Sequence, residues 1–397
     1  MAPAKAFYAP KGTGWPGSHP GSAGVRVGDL LFISGQLSLG PGGDIAAPGD
    51  VTAQARNVFG QIQAIVEEAG GGLDDVLDLV SFHTDVRQLG DVVEAGTEFF
   101  KRDYPAWTAV GTPGTYVSGA AVCIKAIAHL GKEQKECFTP DAVAWLRALP
   151  LSAGCKKGNL MFLSGQVPTD AEGNLVAPGN HALQARQSFL NIKAVVEAAG
   201  GTLDDVIEIL SFHVDPRGME LAGELVCSEV FGRTPLESAS AWTAIGTPGL
   251  YAPGVLGEYR TIADFSPGKR LASTPDTIWW RVIPVSGGTK KAGGSLIAIS
   301  GQVASDGDGN IIGAGDVEAQ TRYDFEQIQK ILAGFDATLD NVVEITAFHK
   351  DMRACETVAK VGAEYFPRGE APAWTSVGTT GLWKEGYLHE IHALAVV

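Results

Sequence analysis

The sequence predicts three tandem α+β domains, each of order β-β-α-β-α-β-β, folded together as a single-chain pseudo-trimer. Three repeated patterns carry that prediction. Ser-Gly-Gln recurs at Ser34, Ser164 and Ser300. A Phe-His-x-Asp-x-Arg segment follows, with His83, His213 and His349 each lying 49 residues after the serine. A decapeptide then closes each copy: PAWTAVGTPG from Pro105, SAWTAIGTPG from Ser240 and PAWTSVGTTG from Pro372. The copies are offset by 130 and 136 residues, far beyond the roughly 20–50 residues of solenoid repeats. Each copy is therefore a whole domain, with bounds at 1–135, 136–268 and 269–397.

The elements follow in order from local pattern. In the first copy, Ser22 to Val27 reads as a short strand leading into the apolar strand DLLFISGQ and a Gly/Pro-rich turn. Val51 to Glu68 reads as a helix, because Ala55, Val58, Phe59, Ile62, Ile65 and Val66 recur at three- and four-residue spacing. Ala-Gly-Gly stops that helix in the first two copies. Strand VLDLVSFHTD, a second helix around Val92 to Phe100, and strands AWTAVGT and AAVCIKAIAHL complete the unit. Both helices share one face of the sheet.

The other face needs cover. In VSFHTD, Phe82 is expected under the helices, which places Ser81, His83 and Asp85 on the helix-free face. Three copies cover one another by packing sheet to sheet around a pseudo-threefold axis, helices outside. Linkers of some 20 residues, about Gly131 to Pro150 and Ser266 to Pro284, are long enough to pass from copy to copy. Clefts between copies are the natural place for a ligand.

Composition excludes several classes of function. The chain has 397 residues, 45% hydrophobic and 19% charged, too apolar for disorder. Its formal net charge of −15 repels phosphate backbones, and the densest basic spots are mere pairs, such as Lys156-Lys157 and Lys290-Lys291. Nucleic acid and anionic membrane are not expected partners. The five cysteines lack C-x-x-C spacing, against a disulfide framework or structural zinc and in favour of a reducing cytosol. No secretory signal is visible and no apolar run approaches the ~20 residues of a membrane span. The expected location is the cytoplasm, and the expected partner is a small molecule, with further self-association of the monomeric pseudo-trimer left open.

The order G-x-L-x-F-x-SGQ, a helix ending in Ala-Gly, a Phe-x-x-Asp strand, Pro-Ala-x-[Ser/Thr] and a final x-Glu-Ile-x-Ala-Ile-Ala strand resembles the reactive-intermediate deaminase family (RidA, also called YjgF or endoribonuclease L-PSP). The resemblance spans about 100 residues of each copy. It implies a chorismate-mutase-like fold, usually a homotrimer with ligand clefts between subunits, here fused into one polypeptide. It also implies hydrolysis of enamines and imines to carbonyl compounds and ammonia, with no metal or organic cofactor.

In that family an arginine in Pro-Ala-Arg-[Ser/Thr] clamps the substrate carboxylate, and a glutamate positions water or shuttles protons. The arginine position holds Trp107, Trp242 and Trp374, followed by Thr108, Thr243 and Thr375. The glutamate position holds Cys123, Glu258 and Glu390, 16 residues after each tryptophan. A family tyrosine becomes Gly21, Leu151 and Val285, and a family asparagine falls near Val93, Gly223 and Ala359. Glu258 and Glu390 are thus the expected acid/base groups. The tryptophans, with the threonines and Cys123, are the expected pocket residues; packing at the sheet interface is the alternative for the tryptophans, a small core residue that for Cys123.

His83, His213 and His349 each precede an aspartate by two residues, a spacing that suits an oriented imidazole, a metal or a hydrogen-bonded structural role at the inter-domain face. No metal is assigned. Arg87, Arg217 and Arg353 are the repeated cations, either replacing the lost clamp or pairing with carboxylates such as Asp91 or Glu356. The leading expectation is a hydrolase acting on a small C–N compound. A ligand-binding or chaperone-like pseudo-trimer without chemistry is the alternative, and ribonuclease activity fits the charge least.

Overall fold

A computed structural model describes residues 2–9, 21–218, 223, 225–226, 228–232, 239–279, 285–367 and 369–397. The second helix of the middle repeat lies largely outside these residues, as do Cys227 and Pro284.

Among the described residues three six-stranded sheets form, one per repeat. The first holds β1 (Lys5–Tyr8), β2 (Gly24–Val27), β3 (Leu30–Leu37), β4 (Val76–His83), β5 (Ala106–Gly111) and β6 (Val122–His129). The second holds β7 (Glu136–Phe138), β8 (Gly154–Lys157), β9 (Leu160–Gln166), β10 (Val206–His213), β11 (Ala241–Gly246) and β12 (Gly257–Asp264). The third holds β13 (Arg270–Ser273), β14 (Gly288–Lys291), β15 (Leu296–Gln302), β16 (Val342–His349), β17 (Ala373–Gly378) and β18 (His389–Val396). The first sheet runs β1-β2-β3-β6-β4-β5, with β4 and β5 parallel and the other pairs antiparallel. The other two repeat that order. The sixth strand was not expected from sequence: the opening segment of each repeat supplies β1, β7 or β13.

Helix α1 (Val51–Glu68) starts at Asp50, whose carboxylate accepts from the Ala53 N–H; α3 (His181–Ala198) starts likewise at Asn180 and α4 (Val317–Ala333) at Asp316. Shorter helices α2 (Leu89–Thr97) and α5 (Cys355–Gly362) lie beside α1 and α4. Gln54, Gln184 and Gln320 pin each long helix to the chain entering the last strand, accepting from the N–H of Ala121, Leu256 and Leu388 at 2.8, 2.9 and 2.9 Å.

The repeats close head to tail. The chain before each fifth strand accepts from the start of the next repeat: Ser152 N–H to Pro105 O at 3.2 Å, Ser286 to Ser240 at 3.2 Å, and Ser22 to Pro372 at 3.1 Å. The far end of the same strand meets the next repeat's Gly-rich loop, with Gly111 N–H on Gly249 O, Gly246 on Gly381 and Gly378 on Gly114, at 2.8–2.9 Å. Three seams result, between repeats one and two, two and three, and three and one.

The helix-free faces meet on the pseudo-threefold axis. Phe82, Phe212 and Phe348 pack there edge to face, with centroids 6.0, 6.3 and 6.4 Å apart. This corrects the expected facing of the fourth strand: Phe82 lies on the axis, and Ser81 and His83 lie under the helices. Alternation misleads because the strand is buried on both faces, so its apolar side need not be its helix side.

Below the phenylalanines sits a buried ring of charge. Each repeat contributes one acid (Asp78, Glu208, Glu344) and one base (Lys125, Arg260, His392), and all six are buried. Each base reaches the acid of the preceding repeat. Arg260 donates to Asp78 at 2.6 and 3.0 Å and also to Glu208 of its own repeat. Lys125 pairs with Glu344 and donates to Thr346 at 2.9 Å, and His392 meets Glu208. Burial alone would raise the Glu208 carboxyl, yet Arg260 and His392 hold it down to about 2.

Candidate active site

Each seam sets the edge strand of one sheet against an interior strand of the next. β5 of the first repeat runs beside β9 of the second, and Trp107 N–H donates to Ser164 Oγ at 2.8 Å. Ser164 opens the Ser-Gly-Gln motif, whose register slips against the neighbouring strand. The slip brings Gly165 against Glu258, and a Cβ added at that glycine would overlap the Glu258 carboxyl. Gly301 stands in the same relation to Glu390, and Gly35 to Cys123. The glycine is therefore required by close approach of the acid, which passes the motif to reach the neighbouring repeat.

At the first seam the Glu258 carboxyl accepts a hydrogen bond from the backbone N–H of Ala109 in the first repeat. Burial pushes Glu258 up to about 8, a shift that this N–H only partly offsets. Among the described residues its Oε2 has no partner, and neither has the buried hydroxyl of Thr108. At the second seam burial also pushes Glu390 up to about 8, and the neighbouring Asp324 carboxyl acts in the same direction. Here Thr243 Oγ1 accepts from Gly301 N–H at 2.8 Å. At the third, Thr375 Oγ1 accepts from Gly35 N–H at 2.8 Å, and burial pushes the Cys123 thiol up to about 12. Among the described residues, no cation contributes to the environment of either glutamate.

The structure brings Glu258, Glu390, Cys123 and the three threonines to the seams. It does not bring the tryptophans there as walls. Trp107 packs edge-on to Phe59 of α1 at 5.7 Å, and its Nε1 donates to Ser81 Oγ at 2.8 Å. Trp242 packs on Phe189 at 5.4 Å and donates to Ser211 Oγ at 2.8 Å; Trp374 lies 6.1 Å from Phe325. All three are buried between sheet and helices. Because side chains alternate along a strand, the tryptophan takes the helix face and the next residue's hydroxyl takes the seam. Trp107→Ala is expected to cost about 3–5 kcal/mol by emptying this layer, seen as a lower denaturant midpoint; an unchanged midpoint would contradict the packing role.

The histidines share that layer. His83 and His213 each bond the serine that also receives the indole, at 2.8 Å, and His213 meets His181 at 3.0 Å. Burial lowers His83 to about 4 and His349 to about 3, so both are neutral imidazoles at pH 7. The paired aspartates point elsewhere. Asp85, Asp215 and Asp351 cap short turns and bind Arg87, Arg217 and Arg353 at 2.8, 2.6 and 2.5 Å. These arginines are exposed, with side chains 80–91% accessible, and pair with the aspartate two residues before rather than with Asp91 or Glu356. They do not replace the clamp.

Sequence reasoning missed an aromatic pair near Glu258. Burial raises the Tyr251 phenol, the nearby Glu258 carboxyl acts in the same direction, and the ring stacks on Trp145 at 5.7 Å and 22°. The counterpart pair in the third repeat is Trp279 with Trp383, at 6.3 Å. A signal was present, since Tyr116, Tyr251 and Trp383 occupy the same place after Gly-Thr-x-Gly in every copy.

A family model described as "Endoribonuclease L-PSP" matches residues 17–130, 143–265 and 288–397. The RutC family protein YjgH of Escherichia coli (strain K12) is 39% identical over 117 residues, covering 29% of this chain and 86% of that protein. A RutC family protein of Pyrococcus abyssi is 33% identical over 91 residues, covering 23% of this chain and 72% of that protein. Among solved structures, a chorismatase superposes with a TM-score of 0.58 over 81% of this chain and 93% of that chain. At 15% identity that likeness concerns the fold alone. Among the described residues, no helix is long and apolar enough to cross a membrane.

Proposed function

The chain belongs to the endoribonuclease L-PSP family, also called RidA or YjgF, and on that premise we propose that it is a cofactor-free hydrolase of small, uncharged C–N compounds. An imine, an enamine or a related heterocycle fits. Glu258 and Glu390 serve as acid/base groups at two of the three seams. One observation carries this reading: two carboxyls are buried without a cation and pushed to about 8. At neutral pH each is a carboxylic acid, poised for proton transfer.

The chemistry then follows. The acid protonates the imine nitrogen, which makes the C=N carbon electrophilic. The carboxylate left behind accepts a proton from water as the water oxygen bonds that carbon. In the resulting carbinolamine the acid protonates nitrogen again, the C–N bond breaks, and the hydroxyl proton returns to the carboxylate as the carbonyl forms. Imine and water become carbonyl compound and ammonia or amine, with the acid regenerated. With tryptophan at the position where relatives carry an arginine, that position offers no bidentate partner to a substrate carboxylate, so free 2-imino acids are poor candidates.

The third seam receives no chemistry in this reading, because a thiol pushed to about 12 stays protonated. A second reading, ligand binding without turnover, is favoured by Leu151 and Val285, apolar residues that pack where relatives carry a tyrosine. Ammonia release from uncharged imines generated in place by an amine oxidase separates the two. Turnover above background supports hydrolysis; tight binding with none supports the second reading. Since the protonated acid starts the reaction, kcat/KM is expected to fall as pH rises through about 8. A flat profile across that range would contradict the assigned acid.

A further inference from the structure

We infer that Cys137 and Cys155 form an oxidisable dithiol that closes to an intrachain disulfide under a hydroperoxide, stapling the linker strand β7 to β8 at the first seam. The two residues stand directly opposite each other in the antiparallel β7–β8 register. Opposed residues of an antiparallel pair have Cα atoms about 4.5–5.5 Å apart, within the roughly 4.4–6.8 Å that disulfides span. Their Sγ atoms are 3.0 Å apart, and both thiols are free. Closure therefore needs no rearrangement of the backbone.

The two sulfurs have different surroundings. Cys137 is half-buried, and a hydrogen bond from Cys155 with the nearby charge of Lys135 brings it down to about 7, against the opposing effect of burial. Cys155 is buried and raised, so it keeps its proton. Cys137 is thus the nucleophile and Cys155 the resolving thiol. The Cys137 thiolate attacks one peroxide oxygen, the O–O bond breaks, and sulfenic acid and hydroxide form. Cys155 sulfur then attacks the sulfenic sulfur, the S–O bond breaks, and its proton leaves in water. Two thiols are oxidised by two electrons and one hydroperoxide is reduced; with hydrogen peroxide the products are two waters.

The device belongs to one repeat. The equivalent opposed pairs are Phe7 with Val25 in the first and Ala272 with Thr289 in the third. It also sits on the seam, because both sulfurs approach the carbonyl of Tyr104, at 3.2 and 3.7 Å, where Ser152 Oγ donates at 2.7 Å. Tyr104 immediately precedes the Pro-Ala-Trp segment that lines the Glu258 seam.

The test treats the full chain with hydrogen peroxide and maps peptides without reduction. The expected product links the Cys137 and Cys155 peptides, has lost two hydrogens, reverts with dithiothreitol, and melts at higher temperature because a loop is closed. In Cys155→Ser, peroxide should instead leave a sulfenic acid at Cys137 that a dimedone-type probe captures. Both thiols remaining free in the wild type, sulfinic acid at Cys137 without the cross-link, or a bridge to any other cysteine would overturn the inference.

Discussion

Arg260→Met is expected to destabilise the protein by about 3–5 kcal/mol, the cost of leaving buried charge uncompensated. Arg260 is fully buried and bonds acids from two repeats, Asp78 in the first and Glu208 in the second. Methionine fills most of the volume but leaves Asp78 without its partner. The expected readout is a denaturant midpoint well below that of the wild type, with unfolding of all three repeats in one transition. Replacing Asp78 by an apolar residue in the same chain should recover part of the loss, since Glu208 keeps its contact with His392 and a well-packed apolar core often equals a buried ion pair. A wild-type midpoint for Arg260→Met alone would mean that the ring does not hold the repeats together.

Glu258→Gln with Glu390→Gln is expected to lower turnover by about 10²–10⁴-fold, the usual worth of a positioned acid/base. Each single variant keeps the other seam, so each should lose roughly its own share of activity and no more. The same substitutions should stabilise. Burial raises both carboxyls, so between the ordinary glutamate value of 4.5 and about 8 the native state holds a proton that the unfolded chain has released. Stability from these groups is complete below 4.5 and declines as pH rises through that window. Glutamine carries no such proton, and the variant's melting temperature should exceed the wild type's most clearly above pH 8.

Repeats and element order were legible because they rest on local pattern. Ser-Gly-Gln and Phe-His-x-Asp-x-Arg mark each copy, and Val51 to Glu68 has the bounds its apolar spacing implies. Orientation was not. Phe82 faces the axis although it reads as a helix-facing residue, since in a closed pseudo-trimer neither side of β4 meets water. The charge ring could not be read at all: Arg260 and Asp78 are 182 residues apart and meet only when three repeats close. Glu258 and Glu390 were found by register with a known motif, as was the substitution at Trp107. What the motif could not give was that the indole turns inward and leaves Thr108 to face the neighbouring repeat. The extra strands β7 and β13 arise from linkers with no strand alternation, and for the same reason the placement of Cys137 opposite Cys155 was hidden.

The proposed hydrolysis of a C–N bond between repeats rests on two buried, protonated glutamates. Its most direct test is ammonia release by folded Glu258→Gln, Glu390→Gln protein from an uncharged imine that the wild type consumes, with melting followed in the same samples. Background release from a protein at least as stable as the wild type is the expected result. Wild-type turnover in that double variant would contradict it.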